Sequence, residues 1–335
     1  ATFNVSMEAL NYVDKGVKVD GSEVSKALNS QNQQIKNVAE IIQRTSPDII
    51  LLNEFDYIKD PNQGIKKFVK EYLNVSQNGQ QPIDYPHFYI APVNTGLTFP
   101  LGCVDCKNDP KTQGFGYFHG HFAMALLSKH PIDTKNIRTF QKFLWKEMPN
   151  ALKPFDPETK QPFYSDIAWS QLRLSSKSHW DVPININGKV LNVLASHPTP
   201  PVFDGEEDRN GKRNHDEIRL WVDYITPGEA GYIYDDNKLV GGIKNNARFV
   251  ILGDLNATTD EGNAIRKGIH SLLNHPNVND PLPKSLGGKQ HSSDNPFGAG
   301  HTANWRMRVD YVLPSKNGIK LVDSGIFWPT KDDET

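Results

Sequence analysis

Short apolar runs that end in a polar side chain recur along the chain and predict buried strands. Residues 249–252 (Phe-Val-Ile-Leu) form such a run, which is followed by Gly253, Asp254 and Asn256. An unbroken apolar run of this length is typical of a strand covered on both faces. If strand geometry continues past Gly253, the side chains of Asp254 and Asn256 project to the same side. The segment by itself also fits a common Asp/Asn turn.

The same reading predicts strands elsewhere in the chain. Apolar or alternating segments bounded by turn-forming residues carry the pattern. Several of them end in, or contain, a residue that can bind a metal or transfer a proton. The predicted strands are residues 1–6 with Asn4, 49–52 before Glu54, 122–128, 171–175, 182–187, 190–195 before His197, 306–314 with Asp310, and 321–327.

Helical spacing of apolar residues predicts four helices, at 31–44, 64–73, within 209–224, and at 263–273. In the third helix Asn214 is a candidate N-cap, because Asp216 and Glu217 would then lie in the first turn. The segments 75–121 and 274–303 are expected to be loops.

Composition narrows the class of protein. The chain has 335 residues, and its 37 basic and 39 acidic side chains nearly cancel. This excludes a polycationic surface that binds nucleic acid nonspecifically, although a local basic groove stays open. No run approaches the length of a transmembrane helix. We expect one domain over 1–335, trimmed at both ends, because the chain starts inside a predicted strand and stops in a polar loop.

The two cysteines, Cys103 and Cys106, form a C-x-x-C pair. Such a pair can be half a zinc site, a redox pair or a local disulfide. Because no second cysteine pair and no thioredoxin-like strand–helix context accompany it, we expect a short disulfide or two free thiols. A disulfide would suit an exported protein.

Ionisable residues at strand ends suggest a shared cleft. Glu54, His197 and Asp254 each follow a buried apolar run, and strands aligned in a sheet bring such ends to one edge. Each residue by itself also fits a solvated strand end or a structural histidine. Together with Asn4 and Asp310 they supply the carboxylate and carbonyl oxygens that Mg²⁺ prefers. A metal beside a histidine and an Asp/Asn pair suits hydrolysis of a phosphate ester.

The ordered motifs resemble those of the endonuclease/exonuclease/phosphatase superfamily. This superfamily includes DNase I, abasic-site endonucleases, neutral sphingomyelinases and inositol polyphosphate 5-phosphatases. The resemblance spans nearly the whole chain. This chain is a long form of the family and is similar to a bacterial, often exported, subgroup of it. The motifs that carry it are Thr2-Phe-Asn-Val, Ile50-Leu-Leu-Asn-Glu, Ser196-His-Pro-Thr-Pro, Gly253-Asp-Leu-Asn and Arg308-Val-Asp-Tyr-Val-Leu.

The resemblance implies a fold and a set of roles. The fold is a four-layer α/β/β/α sandwich with two packed, mainly antiparallel sheets flanked by helices. The implied cofactor is Mg²⁺ or Mn²⁺, with Ca²⁺ as a further alternative. The implied roles are metal binding by Asn4 and Glu54, phosphate contact by His197, orientation of the attacking water by Asp254, stabilisation of the transition state by Asn256, and orientation of a second histidine by Asp310.

The second histidine is where the sequence departs from the family. The family carries it in a Ser-Asp-His motif after the last strand, and residues 1–335 contain no such motif. Ser293-Asp294 is followed by Asn295 and precedes the Asp310 motif, so it is out of order. We expect that the motif follows Thr335 in a longer chain, and His301 is a substitute candidate. The alternative is a binding module that keeps the fold but does not hydrolyse.

The substrate is a phosphoester whose nature the sequence leaves open: nucleic acid, a phospholipid head group or a small organophosphate. Near-neutral charge gives no support for broad nucleic-acid affinity. We expect a monomer that is periplasmic or secreted, and otherwise cytoplasmic. Candidate substrate-binding residues, which also fit a surface loop and a solvated helix start, are Lys177, His179, Arg213, His215 and Arg219.

Overall fold

The computed structural model describes residues 1–99 and 107–333, and within them the chain forms two β-sheets. The predictions for Cys103 and Cys106 lie outside the described residues. The first sheet has the order β1-β2-β4-β3, with β1 at Thr2–Met7, β2 at Ile49–Phe55, β3 at His87–Tyr89 and β4 at Met124–Ser128. The second runs from β5 to β9 in chain order, with β5 at Arg138–Thr139, β6 at His179–Ile186, β7 at Lys189–Ser196, β8 at Phe249–Asp254 and β9 at Asp310–Pro314.

Helices connect the strands that run parallel. The pairs β1–β2 and β7–β8 are parallel and the other pairings are antiparallel. A parallel pair needs a long crossover, which is usually helical. Helices α1 (Glu23–Asn29) and α2 (Gln33–Thr45) make the first crossover, and α5 (Arg209–Ile225) makes the second. The remaining helices are α3 (Ile65–Phe68), α4 (Asp166–Gln171), α6 (Arg266–Leu273) and α7 (Leu286–His291).

The two sheets pack face to face, and helices cover their outer faces. Alternate residues of β8 show the arrangement: Val250 and Leu252 face the other sheet, whereas Phe249 and Ile251 pack under α5 and α6. Both faces of this strand are buried, which explains the unbroken apolar run. The predicted four-layer sandwich is confirmed.

Gly253 lets β7 and β8 approach closely at the end of the sheet. A Cβ atom on this residue would lie 1.9 Å from the carbonyl oxygen of Ser196. Only glycine fits at such a distance from a neighbouring backbone. The strand ends that carry His197 and Asp254 are therefore drawn together.

Two predicted strands are wrong. Residues 171–175 contain the end of α4 and an irregular segment, because Leu172 and Leu174 pack into the outer core and exchange single backbone hydrogen bonds with residues 143–145. Residues 321–327 form no strand, and Val322 is 86% exposed. Apolar residues alternate in both segments, but neither segment pairs with a strand of the described residues in a ladder of backbone hydrogen bonds.

The predicted N-cap at Asn214 is also wrong. Helix α5 begins at Arg209, and Asn214 is buried in its second turn. Its side-chain amide donates hydrogen bonds to the carbonyls of Thr199 (2.8 Å) and Leu255 (2.9 Å). The residue therefore holds two loops against the helix, a tertiary role that its local sequence does not reveal.

Candidate active site

Strand direction brings the predicted site residues to one edge of the sandwich. β7 and β8 are parallel and end at Ser196 and Asp254, and β9 starts there because Asp310 pairs with Asp254. In the other sheet Asn4 of β1 pairs with Asn53, the residue before Glu54.

Asp254 lies at the centre of this edge. It is 1% exposed. Asn4 Nδ2 donates to its Oδ2 at 3.2 Å, and the backbone N–H of Asn256 donates to its Oδ1 at 3.0 Å. His197 Nε2 lies 3.8 Å from the same Oδ2. The carboxylate is thus oriented by residues from both sheets.

The edge concentrates negative charge. Burial, with Glu54 acting in the same direction, raises the pKa of Asp254 to about 6. Burial and the charge of Asp254 raise the pKa of Asp310 well above its usual range. Oδ1 of Asp310 is buried without a hydrogen-bond partner among the described residues, although the residue as a whole is partly exposed. The positive charge of Lys177 opposes the rise at Asp254, but among the described residues no lysine or arginine forms a salt bridge with Glu54, Asp254 or Asp310.

His197 is a neutral imidazole at this edge. It is 2% exposed, and burial followed by the positive charge of Lys177 holds its pKa well below the usual range. Its Nδ1 has no hydrogen-bond partner among the described residues. An unsatisfied buried ring nitrogen is costly unless a ligand or water completes it.

Two residues at the strand ends adopt left-handed backbone conformations. Glu54 has φ +56° and Asn256 has φ +51°. Asn tolerates this region better than Glu does, so Glu54 is the more strained of the two. The side-chain amide of Asn256 donates to the carbonyl of Pro198 at 3.1 Å, which leaves its second N–H available.

The donor set fits a hard divalent cation. Glu54 receives only a long hydrogen bond, 3.5 Å from Ser6 Oγ, and the Oδ1 of Asp310 has no partner. In the described ranges no three His, Cys, Asp or Glu side chains form a ready metal cage. Mg²⁺ usually keeps several waters and takes one or two carboxylates, so a few oxygen ligands suffice. Asn4, Glu54 and the neighbouring carboxylates would hold it.

Of the five candidate substrate-binding residues, the structure brings Lys177 to this edge. It is 6% exposed, and the charges of Glu217, Glu54 and Asp254 act on its ammonium. The other four make contacts within the protein fold. The guanidinium of Arg213 donates to the carbonyls of Gln113, Arg173 and Leu174, His215 contacts Asp216, Arg219 contacts the carbonyls of Pro149 and Asn150, and His179 is buried in the second sheet.

His301 also makes structural contacts. Its ring nitrogens lie 3.1 Å from Ser292 Oγ and 3.0 Å from Glu261 Oε2. The side chain that reaches the backbone of Asp310 is that of Thr302, whose Oγ1 accepts its N–H at 3.0 Å. Both ring nitrogens of His301 therefore contact groups other than Asp254 and Asp310.

Glu217 supports the site, a role that the sequence did not predict. This fully buried residue of α5 accepts hydrogen bonds from the backbone N–H groups of Ser176 and Thr199, each at 2.6 Å. Ser176 precedes Lys177, and Thr199 lies two residues after His197. One carboxylate thus ties together the segments that carry Lys177 and His197. A signal existed, because a charged residue on the buried face of an amphipathic helix needs a partner.

Protonation of His179 should destabilise the protein in acid. Its ring is buried between Ser175 Oγ and the carbonyl of Glu217, and burial lowers its pKa to about 4. Because the folded state binds this proton more weakly than the unfolded chain does, the stabilisation is complete above pH 6.5 and is lost as the pH falls towards 4. The loss from this residue is about 3 kcal/mol, measurable by chemical denaturation across that range.

His179→Gln should flatten that acid slope, because the amide can still donate to the carbonyl of Glu217 and does not titrate. The exposed His270 of α6 provides the matched control, His270→Gln. An unchanged slope in His179→Gln would show that this ring is not the source of the acid sensitivity.

Comparison with known proteins places the chain in a family. The sequence profile described as Endonuclease/Exonuclease/phosphatase family matches residues 1–333. The chain belongs to this family, as its DNase I-like fold and ordered motifs indicated. No curated protein sequence matches the chain.

The chain is similar to several solved structures. An endonuclease/exonuclease/phosphatase from Beutenbergia cavernae is 16% identical with a TM-score of 0.49, and the match covers 94% of this chain and 63% of that one. A hairpin-deletion mutant of beta toxin from Staphylococcus aureus is 15% identical (TM-score 0.48; 100% of this chain, 93% of that one). Sphingomyelinase C from Streptomyces griseocarneus is 14% identical (TM-score 0.42; 95% and 84%).

Proposed function

We propose that the protein is a divalent-metal-dependent phosphoesterase that hydrolyses its substrate by direct attack of water. The observation that carries the proposal is the buried Asp254 carboxylate, which Asn4 and Asn256 hold between Glu54 and Asp310 at one edge of the sandwich. Membership of the family supports the same reaction class.

In this proposal Asp254 orients the attacking water and accepts its proton. A bound Mg²⁺ or Mn²⁺ would neutralise charge that develops on the phosphoryl oxygens. As the water oxygen bonds to phosphorus, the ester P–O bond breaks and the leaving oxygen departs as an alkoxide that takes a proton from solvent, so that no covalent enzyme intermediate forms. A carboxylate whose pKa is raised towards neutral is a better base than an ordinary aspartate.

His197 and Asn256 would hold the phosphoryl group. The neutral imidazole of His197 can donate one N–H, and the amide of Asn256 has one N–H that Pro198 does not use. Such preorganised donors stabilise charge in the transition state because they need no reorientation. Asp310 pairs with Asp254 across β8 and β9, and a bound divalent cation would favour the ionised form of both carboxyl groups.

The proposal names the substrate only as a class, a phosphoester, and it includes an expected location for the protein. The candidates remain nucleic acid, a phospholipid head group and a small organophosphate, and an exported location stays our expectation. Among the described residues no helix combines the length and apolar character needed to cross a membrane. A panel that contains one diester, one monoester, DNA and a phospholipid would rank the substrates.

Removal of divalent cations should abolish hydrolysis. We expect bis(p-nitrophenyl) phosphate or p-nitrophenyl phosphate to be turned over with Mg²⁺ or Mn²⁺. Excess EDTA should lower the rate at least about 10³-fold, since the carboxylates at this edge would repel the anionic substrate once the metal is removed. Re-addition of Mg²⁺ should restore it, as measured by release of p-nitrophenol. A full-length protein that hydrolyses no tested phosphoester with any of these metals would favour the non-catalytic binding module instead.

A further inference from the structure

The strand end that carries Glu54 lies between β1 and β4, because the order of this sheet is β1-β2-β4-β3. The register between β1 and β2 changes at this point. Asn4 pairs with Asn53, whereas Met7 pairs with Phe55. Two residues of β1 therefore face the single residue Glu54, and β1 bulges beside the proposed metal ligands Asn4 and Glu54.

Three neighbouring segments adopt left-handed backbone conformations around this bulge. Ser6 in β1 has φ +45°, Glu54 in β2 has φ +56°, and Phe122, two residues before β4, has φ +55°. This region is unfavourable for residues other than glycine, and most of all for a bulky side chain such as that of Phe122. Such conformations persist only where surrounding contacts hold them. The contacts around the bulge therefore fix the direction in which Glu54 projects.

The buried carboxylate of Asp56 joins the segments on both sides of β2. It lies two residues after Glu54 and is 1% exposed. Its Oδ2 accepts the N–H of Ala9, beyond the end of β1, and its Oδ1 accepts the N–H of Phe122, each at 2.8 Å. Burial raises the pKa of this carboxyl group to about 8, and the two N–H groups act against the rise. Asp56 thus links β1 and β4 across the end of β2.

A second buried contact, between Glu8 and His121, spans the same gap. Nδ1 of His121 accepts the N–H of Tyr117 at 3.4 Å, so Nε2 carries the proton and donates to Oε2 of Glu8 at 2.7 Å. Glu8 is 6% exposed and His121 is fully buried. Each of these two residues directly precedes a residue whose N–H Asp56 accepts. The two links therefore run side by side.

We propose that Asp56 is a positioning residue, which holds Glu54 in its metal-binding conformation through its two backbone hydrogen bonds, reinforced by the Glu8–His121 contact. This inference rests on the proposed metal-dependent function and deepens it. Asp56 touches neither metal nor substrate, since each of its oxygens already accepts a backbone N–H. Two donors that converge from different segments need an acceptor with two oxygens, which a carboxylate supplies and a carboxamide does not.

Asp56→Asn tests the proposal through metal affinity. The amide has one acceptor oxygen, so its NH₂ group would face the other backbone N–H. We expect the folded variant to bind Mn²⁺ at least about tenfold more weakly than wild type, because a buried hydrogen bond to a charged group is lost. Electron paramagnetic resonance of the free ion measures this affinity. At saturating Mn²⁺, kcat should stay within a few-fold of wild type, because the excess metal drives Glu54 into its bound conformation.

Asp235→Asn is the matched control. Asp235 is also buried, and its Oδ1 accepts the backbone N–H groups of Asn237 and Leu239, each at 2.9 Å. The loop that it holds packs beside β5, where the next N–H donates to the carbonyl of Thr139. This variant should lose stability in chemical denaturation but bind Mn²⁺ like wild type. Stability and metal affinity fall together only where the carboxylate positions the site.

Asp56→Asn also removes the charge of an ionised carboxylate, so a variant that keeps every carboxylate separates the two causes. His121→Phe keeps a ring stacked with Phe118 and Phe122 but has no N–H to donate to Glu8. We expect it to lower Mn²⁺ affinity about three- to tenfold. Wild-type affinity in folded His121→Phe would leave charge as the cause and overturn the inference.

Other outcomes would overturn it as well. One is a folded Asp56→Asn protein with the Mn²⁺ affinity of wild type. Another is an Asp235→Asn protein whose Mn²⁺ affinity falls as far as that of Asp56→Asn, since any loss of stability would then weaken the metal site. Should Asp56→Asn not fold, His121→Phe decides, because it must bind Mn²⁺ more weakly than wild type.

The two proposals fail separately. If wild type binds Mn²⁺ and both variants of the link bind it weakly, but no ester is hydrolysed, the positioning role stands and the phosphoesterase function falls. If wild type and Asp56→Asn bind Mn²⁺ equally and hydrolyse bis(p-nitrophenyl) phosphate at equal rates across a metal titration, the function stands and the role of Asp56 falls.

Discussion

Asp254→Asn should lower kcat for phosphoester hydrolysis by about 10³-fold while the protein stays folded. The amide fills the same space but does not accept a proton from water, and a positioned base contributes about 10²- to 10⁴-fold to such a reaction. Folding should tolerate the change, since it removes one of several neighbouring carboxylate charges from a site where Asp254 is 1% exposed. Turnover of bis(p-nitrophenyl) phosphate with Mg²⁺ and a thermal melt measure the two effects.

The matched control is Asp48→Asn, at the start of β2 and thus at the opposite edge. Asp48 pairs with Lys129 at 3.0 Å, and its side chain is 66% exposed, so its loss should change neither rate nor melting temperature appreciably. An Asp254→Asn protein with kcat within a few-fold of wild type would remove Asp254 from the reaction and with it the proposed mechanism.

Glu217→Gln should destabilise the protein by about 2–3 kcal/mol and lower kcat about tenfold. Each carboxylate oxygen of Glu217 accepts one backbone N–H, from Ser176 and from Thr199. A glutamine has one acceptor oxygen, so its NH₂ group would face the other N–H, and a buried hydrogen bond to a charged group would be lost. The segments that carry Lys177 and His197 would then shift. Chemical denaturation and steady-state kinetics give the two quantities.

Glu229→Gln, at an exposed position beyond the end of α5, serves as the control and should behave like wild type. Stability must be compared with kcat and with phosphate affinity, because Glu217 acts on the site only through its neighbours. If Glu217→Gln loses stability but keeps kcat and phosphate affinity, the residue holds the fold together without positioning the site.

Periodicity predicted the elements that lie deepest in the fold. The strands at β1, β2, β4, β7 and β8 and the helices α2, α5 and α6 were foreseen because their apolar residues repeat with the spacing of one or two buried faces. Short elements such as α1, α7, β3 and β5 were missed. They are two to seven residues long, too short to show a periodic apolar pattern, and depend on neighbours that are remote in sequence.

The site residues also fall into two groups, those that the sequence predicts and those whose role only the tertiary structure reveals. The sequence by itself determined the strand ends at Asn4, Glu54, His197, Asp254 and Asp310, because an apolar run followed by an ionisable residue is a local signal. Only the tertiary structure decided that β6 starts where β7 ends, which brings Lys177 beside His197, and that Glu217 of α5 links them. The tertiary structure also distinguished Lys177, which lies at the site, from Arg213, whose guanidinium donates hydrogen bonds to backbone carbonyls. These choices depend on which buried polar groups meet, and hydrogen bonds between residues far apart in sequence leave no periodic trace.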